Sequence, residues 1–166
     1  MSDGTLLRTE AGPQIRFTRE LAHSPEKVWR ALTDPESLQA WFPDNVEGAM
    51  APGAALRFFS DDRSFEFTGE VVEFDPPRVL ELTWGTDRLR FELLPNDTGT
   101  TLVFTDTIDE LGKAARDGAG WHECLDLLGI HLDRGEPPEH GAVWSKVHPG
   151  YVERFGPEAS TIGPPG

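Results

Sequence analysis

Six or seven short segments of alternating residues, followed by one long amphipathic stripe, leave this chain few ways to bury its apolar faces. The stripe is Trp121, Cys124, Leu125, Leu128 and Leu132, spaced i, i+3, i+4, i+7 and i+11, so all five point from one side of a helix. The alternating segments lie at 14–22, 46–51, 55–60, 64–74, 79–84, 88–94 and 101–108. Turn sequences separate them, among them Pro52-Gly53, Asp75-Pro76-Pro77 and Pro95-Asn96-Asp97-Thr98-Gly99. Links this short exclude helical crossovers and predict an antiparallel meander. The expected class is therefore α+β: a curved antiparallel sheet of six or seven strands around a long C-terminal helix. Within 64–74 the alternation slips in phase near Val72, which predicts a bulge or bend.

Two short helices are written between the first and second strands. Ser24-Pro25-Glu26 places a capping hydroxyl, a proline at the first helical position and an acid in the first turn. Asp34-Pro35-Glu36 repeats the device, and Pro43 stops the second helix after Leu38, Trp41 and Phe42. Residues 1–13 read as a flexible lead-in, 14–135 as the folded domain, and 136–166 as an extension packing on it. Trp144, Val147, Tyr151 and Phe155 in the extension predict one or two short turns broken by Pro149, with the last ten residues loose. These apolar residues could cover the body or a second copy, so a homodimer stays open.

Charge and composition exclude several partners. Acidic residues outnumber basic ones 29 to 15, for a formal net charge of −14. Such a surface repels phosphate backbones and anionic lipid, so no nucleic-acid or membrane partner is expected. No stretch approaches the roughly 20 apolar residues of a membrane span. The first residues carry no signal-peptide pattern, and the single cysteine excludes an internal disulfide, so a cytoplasmic location is expected.

Three separated segments carry a family likeness. Ser24-Pro25-Glu26-Lys27-Val28-Trp29-Arg30-Ala31-Leu32-Thr33-Asp34-Pro35-Glu36, followed by Leu38-Gln39-Ala40-Trp41-Phe42, resembles the N-terminal signature of the START-like (SRPBCC) superfamily. Gly69-Glu70-Val71-Val72-Glu73, Pro76-Pro77-Arg78, Leu82-Thr83-Trp84 and the helical run from Gly120 to Leu128 are similar to its AHSA-like branch, named after activators of heat-shock-protein ATPase. The resemblance covers residues 14–135 and implies the helix-grip topology, in which the first and last strands are neighbours. It implies a fold far more than a function, because the fold hosts ligand carriers, cyclases, hydrolases and chaperone partners alike.

No catalytic signature is present: no G-x-S-x-G, no H-E-x-x-H, no phosphate loop and no dinucleotide fingerprint. The five histidines are scattered with no metal spacing, so neither metal nor cofactor is expected. Cys124 lies on the apolar stripe and reads as a packed thiol rather than a nucleophile. The expected cavity lining is Phe17, Trp41, Phe42, Phe58, Phe67, Trp84, Phe91, Phe104, Trp121, Leu125 and Leu128, each of which also reads as ordinary core. Arg19 shares a face with Ile15, Phe17 and Leu21, and Asp106 with Leu102, Phe104 and Ile108. With the end strands adjacent, as the resemblance implies, Arg19 and Asp106 are expected to pair at the cavity. His122 is a further polar candidate, with a plainer reading as a surface histidine.

The leading expectation is a small hydrophobic-ligand-binding protein without demonstrable catalysis. An enzyme of cyclase or hydrolase type, using Arg19, Asp106 or His122 in the same cavity, is the alternative. A chaperone-interaction module is a third reading, which the stand-alone domain disfavours.

Overall fold

In the computed structural model, residues 3–163 are described. Eight strands form one antiparallel sheet: β1 (Thr5–Thr9), β2 (Gly12–Leu21), β3 (Asn45–Glu47), β4 (Ala55–Phe59), β5 (Glu66–Asp75), β6 (Val79–Trp84), β7 (Asp87–Asn96) and β8 (Gly99–Thr107). Their order is β1-β2-β8-β7-β6-β5-β4-β3, so β2 and β8 are neighbours, with Phe17 opposite Phe104. Helices α1 (Pro25–Thr33) and α2 (Pro35–Trp41) follow β2; α3 (Ala114–Leu132) and α4 (Ala142–Phe155) follow the sheet. The α+β helix-grip class is as expected, with one more strand than the sequence suggested.

Both helix caps form as the sequence dictates. The Ser24 hydroxyl and the Asp34 carboxylate each accept a backbone N–H three residues on, at 3.2 Å. The phase slip in β5 is a register irregularity between Val71 and Glu73. On β2 and β8 the alternation holds for Ile15, Phe17, Arg19, Leu102, Phe104 and Asp106, all buried, as is Ile108 just past β8; Leu21 is half-buried, and Thr105 on the other face is buried too.

Three expectations are corrected. The segment 1–13 is no flexible lead-in where it is described, because β1 pairs with β2 and the Gly4 N–H donates to Tyr151 Oη. The extension is one continuous helix rather than broken turns: α4 carries Pro149 inside it and packs Tyr151 fully under cover. The chain after α4, expected to be loose, is anchored too, since Ala159 is buried and the Ile162 N–H donates to Gly112 O; residues 164–166 of that expected loose tail lie outside the described residues. Helix α3 also starts earlier than its apolar stripe and runs through Gly118 and Gly120. A side chain at Gly118 would stand 3.2 Å from the Phe155 ring, so the glycine's helical penalty is offset by close approach of α4. Among the described residues no helix is long and apolar enough to cross a membrane.

Candidate functional site

The aromatic residues of the concave face fall into two groups. Phe17, Phe104, Phe91, Trp41, Phe42, Phe58 and Phe67 form a continuous chain of ring contacts with centroids 4.8 to 6.3 Å apart. Pairs at this spacing contribute about 0.5–1.5 kcal/mol each beyond area burial. Most of this chain is core filling, and the sheet is closed on α3 by rings rather than by empty space.

A cleft of about 1030 Å³ opens beside that core. The end of α2 and the following Phe42–Pro43–Asp44 form one wall, Phe59 and Phe65 the outer rim, and Trp84 the end of the sheet. Arg116, Asp117, Trp121, Glu123, Cys124 and Leu127 of α3 form the opposite wall, which Trp144 of α4 extends. The rings of Trp84 and Trp121 meet at 5.3 Å, and Phe42 lies 5.9 Å from Trp121, so the floor is aromatic. Phe65 remains 48% exposed at the rim, an apolar ring held open to solvent.

Polar groups in this cleft are few and fixed. Trp84 Nε1 donates to Asp44 Oδ2 at 2.8 Å, and burial raises the Asp44 carboxyl to about 6 against the opposing effect of that hydrogen bond. Glu123 accepts the Trp144 backbone N–H at 3.2 Å, and Trp144 Nε1 donates to Arg116 O at 3.1 Å. These two bonds tie the start of α4 to α3. Burial pushes the Cys124 thiol far up, so it is an unreactive packed group, as expected.

Trp41, Phe42, Trp84 and Trp121 of the expected lining face this cleft. Arg19 and Leu125 line a second cleft, of about 640 Å³, between β2 and the later turns of α3. Phe17, Phe58, Phe67, Phe91, Phe104, Asp106, His122 and Leu128 line neither.

The expected Arg19–Asp106 pair does not form. Opposite Arg19 in the ladder is Leu102, and opposite Asp106 is Ile15, which sets the two side chains roughly 13 Å apart along the strands. Arg19 instead meets Asp126 of α3 at 2.7 Å, and Asp106 accepts from Trp121 Nε1 at 3.0 Å. His122 is not a surface group: it is buried, with Nδ1 2.8 Å from Tyr151 Oη. Burial lowers its pKa, with the Asp126 carboxylate acting against that shift.

Sequence reading missed Asp44, Phe65, Asp117 and Trp144 of the cleft, and a buried carboxylate cluster of Asp87, Asp106 and Asp117 beneath it. Asp44 follows Pro43 and reads as a turn residue; Asp87 reads as part of a turn before its strand. Only the apolar company of Asp106 on β8 offered a signal.

No curated protein matches this chain. Several solved structures do. A conserved protein of unknown function from Enterococcus faecalis, EF2215, is 23% identical with a TM-score of 0.77, over 96% of this chain and 92% of that one. CalU16 from Micromonospora echinospora is 22% identical with a TM-score of 0.72, over 92% and 97%. The protein encoded by BPP1335 from Bordetella parapertussis is 26% identical with a TM-score of 0.69, over 92% and 91%. The first two likenesses speak for the fold alone. The family described as "Activator of Hsp90 ATPase homolog 1-like protein" matches residues 22–133, more than half of the sequence. The chain belongs to that family of Activator of Hsp90 ATPase homolog 1-like proteins.

Proposed function

We propose that this protein binds a small molecule with an apolar, ring-sized body in the cleft between α2, the end of β6 and α3, without transforming it. The observation that supports this reading is the cleft itself, about 1030 Å³ with Trp41, Phe42, Trp84, Trp121 and Trp144 along it. Ligand sites characteristically join aromatic walls to a few fixed polar groups. Here Asp44, held by Trp84, is such a group. The other rings of the aromatic chain, Phe17, Phe58, Phe67, Phe91 and Phe104, lie outside the cleft and contribute rigidity rather than contact.

Native mass spectrometry of the protein purified from its own host tests the reading. A single molecule of defined mass, carried at one per chain and lost in Trp84→Ala, is the expected result. Protein that is empty as purified, and that also fails to take up apolar ring compounds, contradicts it.

A second reading draws on one specific observation. A carboxyl that titrates at about 6 beside an aromatic floor is matched to proton transfer near neutral pH. In that reading Asp44 exchanges a proton with the bound molecule, and Asp44→Asn abolishes turnover while leaving binding in place.

A further inference from the structure

Beneath the cleft, Asp87 at the start of β7, Asp106 on β8 and Asp117 on α3 converge from three elements. One carboxylate oxygen of each lies within 4.8 Å of the other two. Asp106 is fully buried and Asp87 is 3% exposed. Each spends one oxygen on a known donor: Asp106 Oδ2 on Trp121 Nε1 at 3.0 Å, Asp87 Oδ1 on Lys113 Nζ at 2.8 Å. Among the described residues the other oxygens, Asp106 Oδ1 and Asp87 Oδ2, are buried and accept from no N–H or O–H donor, and the only hydrogen bond open to Asp106 beyond Trp121 is a proton shared with Asp87. A buried carboxylate oxygen without a donor is costly, and two of them in one cluster call for a shared proton or a cation.

We propose that Asp87, Asp106 and Asp117 bind one hard divalent cation, of the Mg²⁺, Mn²⁺ or Ca²⁺ class, at the floor of the aromatic cleft.

Charge, donor type and spacing agree. With every carboxyl ionised, Asp87, Asp106, Asp109 and Asp117 stand against Lys113 and Arg116 and leave two negative charges, a load that burial and the neighbouring carboxylates oppose by raising the Asp106 carboxyl well above its ordinary range. One proton cancels one of these; a divalent cation cancels both. The cluster offers oxygen alone, the donor that suits magnesium, manganese and calcium. Two oxygens on opposite sides of such an ion stand about 4.2–4.8 Å apart, which the 4.8 Å spread allows. Asp117 also lines the cleft, giving an ion and its waters a way in. The site stands on these carboxylates whether or not an apolar molecule occupies the cleft.

The test is titration of chelator-stripped protein with Mn²⁺, reading the free-ion electron paramagnetic resonance signal. One Mn²⁺ per chain is expected, displaced by excess Mg²⁺ or Ca²⁺. Asp106→Asn keeps an oxygen for Trp121, and Asp117→Asn changes a partly exposed position; each should weaken Mn²⁺ at least about tenfold. Asp97→Asn, in an exposed turn, should leave the affinity unchanged and so separates the site from general attraction to an acidic surface. Should Asp106→Asn fail to fold, Asp117→Asn decides alone. Undiminished binding in the folded variants, or no stoichiometric binding at millimolar Mn²⁺, overturns the site and leaves a proton shared between Asp87 and Asp106 to neutralise the cluster.

Discussion

Trp84 Nε1 donates to Asp44 Oδ2 at 2.8 Å across 40 residues of sequence, joining the end of β6 to the segment after α2. The bond holds a carboxylate against an aromatic floor, where burial raises its pKa to about 6 from an ordinary 3.8. Trp84 therefore reports the charge on Asp44. Its fluorescence is expected to change with pH around a midpoint near 6, and Asp44→Asn should flatten that transition.

The same shift sets a direction for stability. A carboxyl with a raised folded-state pKa binds more protons folded than unfolded, so its contribution declines as pH rises from about 4 to about 6. Above that window the ionised group is a cost. Asn retains the acceptor for Trp84, so Asp44→Asn should stabilise the protein at pH 8 by about 1–3 kcal/mol and much less at pH 4. Urea unfolding at both pH values checks this; equal effects at both would contradict it.

Tyr151 joins α4 to the rest of the fold through one oxygen. Its hydroxyl accepts the Gly4 N–H and meets His122 Nδ1, each at 2.8 Å, in a buried position. Tyr151→Phe leaves both partners without their bond and should cost about 1–3 kcal/mol. Chemical denaturation measures it, and an unchanged midpoint would show that water replaces the hydroxyl.

Gly69 sits where β5 crosses close to the end of β6. A Cβ there would lie 1.9 Å from the Thr83 carbonyl oxygen, a backbone atom that cannot rotate away. Gly69→Ala should cost roughly 1–3 kcal/mol through forced separation of the strands. Wild-type thermal stability in this variant would mean that the β5–β6 pair yields freely.

Cys124 lies on the cleft wall but is only 6% exposed, and its pKa is driven up by burial. A thiol reagent at pH 8 should label native protein slowly and unfolded protein at once. Immediate labelling of native protein would show that α3 opens along the cleft.

The sequence made the framework legible because its signals are local. Ser24 and Asp34 cap helices by chemistry contained within three residues, and Phe17 and Phe104 declare their face by alternation alone. The buried identity of Arg19 and Asp106 followed from the same alternation. Their partners did not, because α3 supplies Asp126 to one and Trp121 to the other, and helix rotation against a sheet is not encoded in strand period. Gly118 and Gly120 are unexpected inside a helix from propensity alone, whereas close approach of Tyr151 and Phe155 makes the lack of a side chain at Gly118 an asset there. The cleft draws Asp44, Phe65, Asp117 and Trp144 from four separate parts of the chain, and no spacing rule links them.

Occupancy of the aromatic cleft is tested most directly by nuclear magnetic resonance of the tryptophan indole N–H groups during titration with indole, an apolar ring probe. The chain has five tryptophans, and Trp29 packs against Phe74 outside the cleft, which makes it an internal reference. Binding in the cleft predicts saturable shifts at Trp84, Trp121 and Trp144 with Trp29 unmoved. Shifts at Trp29 alone, or none at any tryptophan, would contradict a ligand site there.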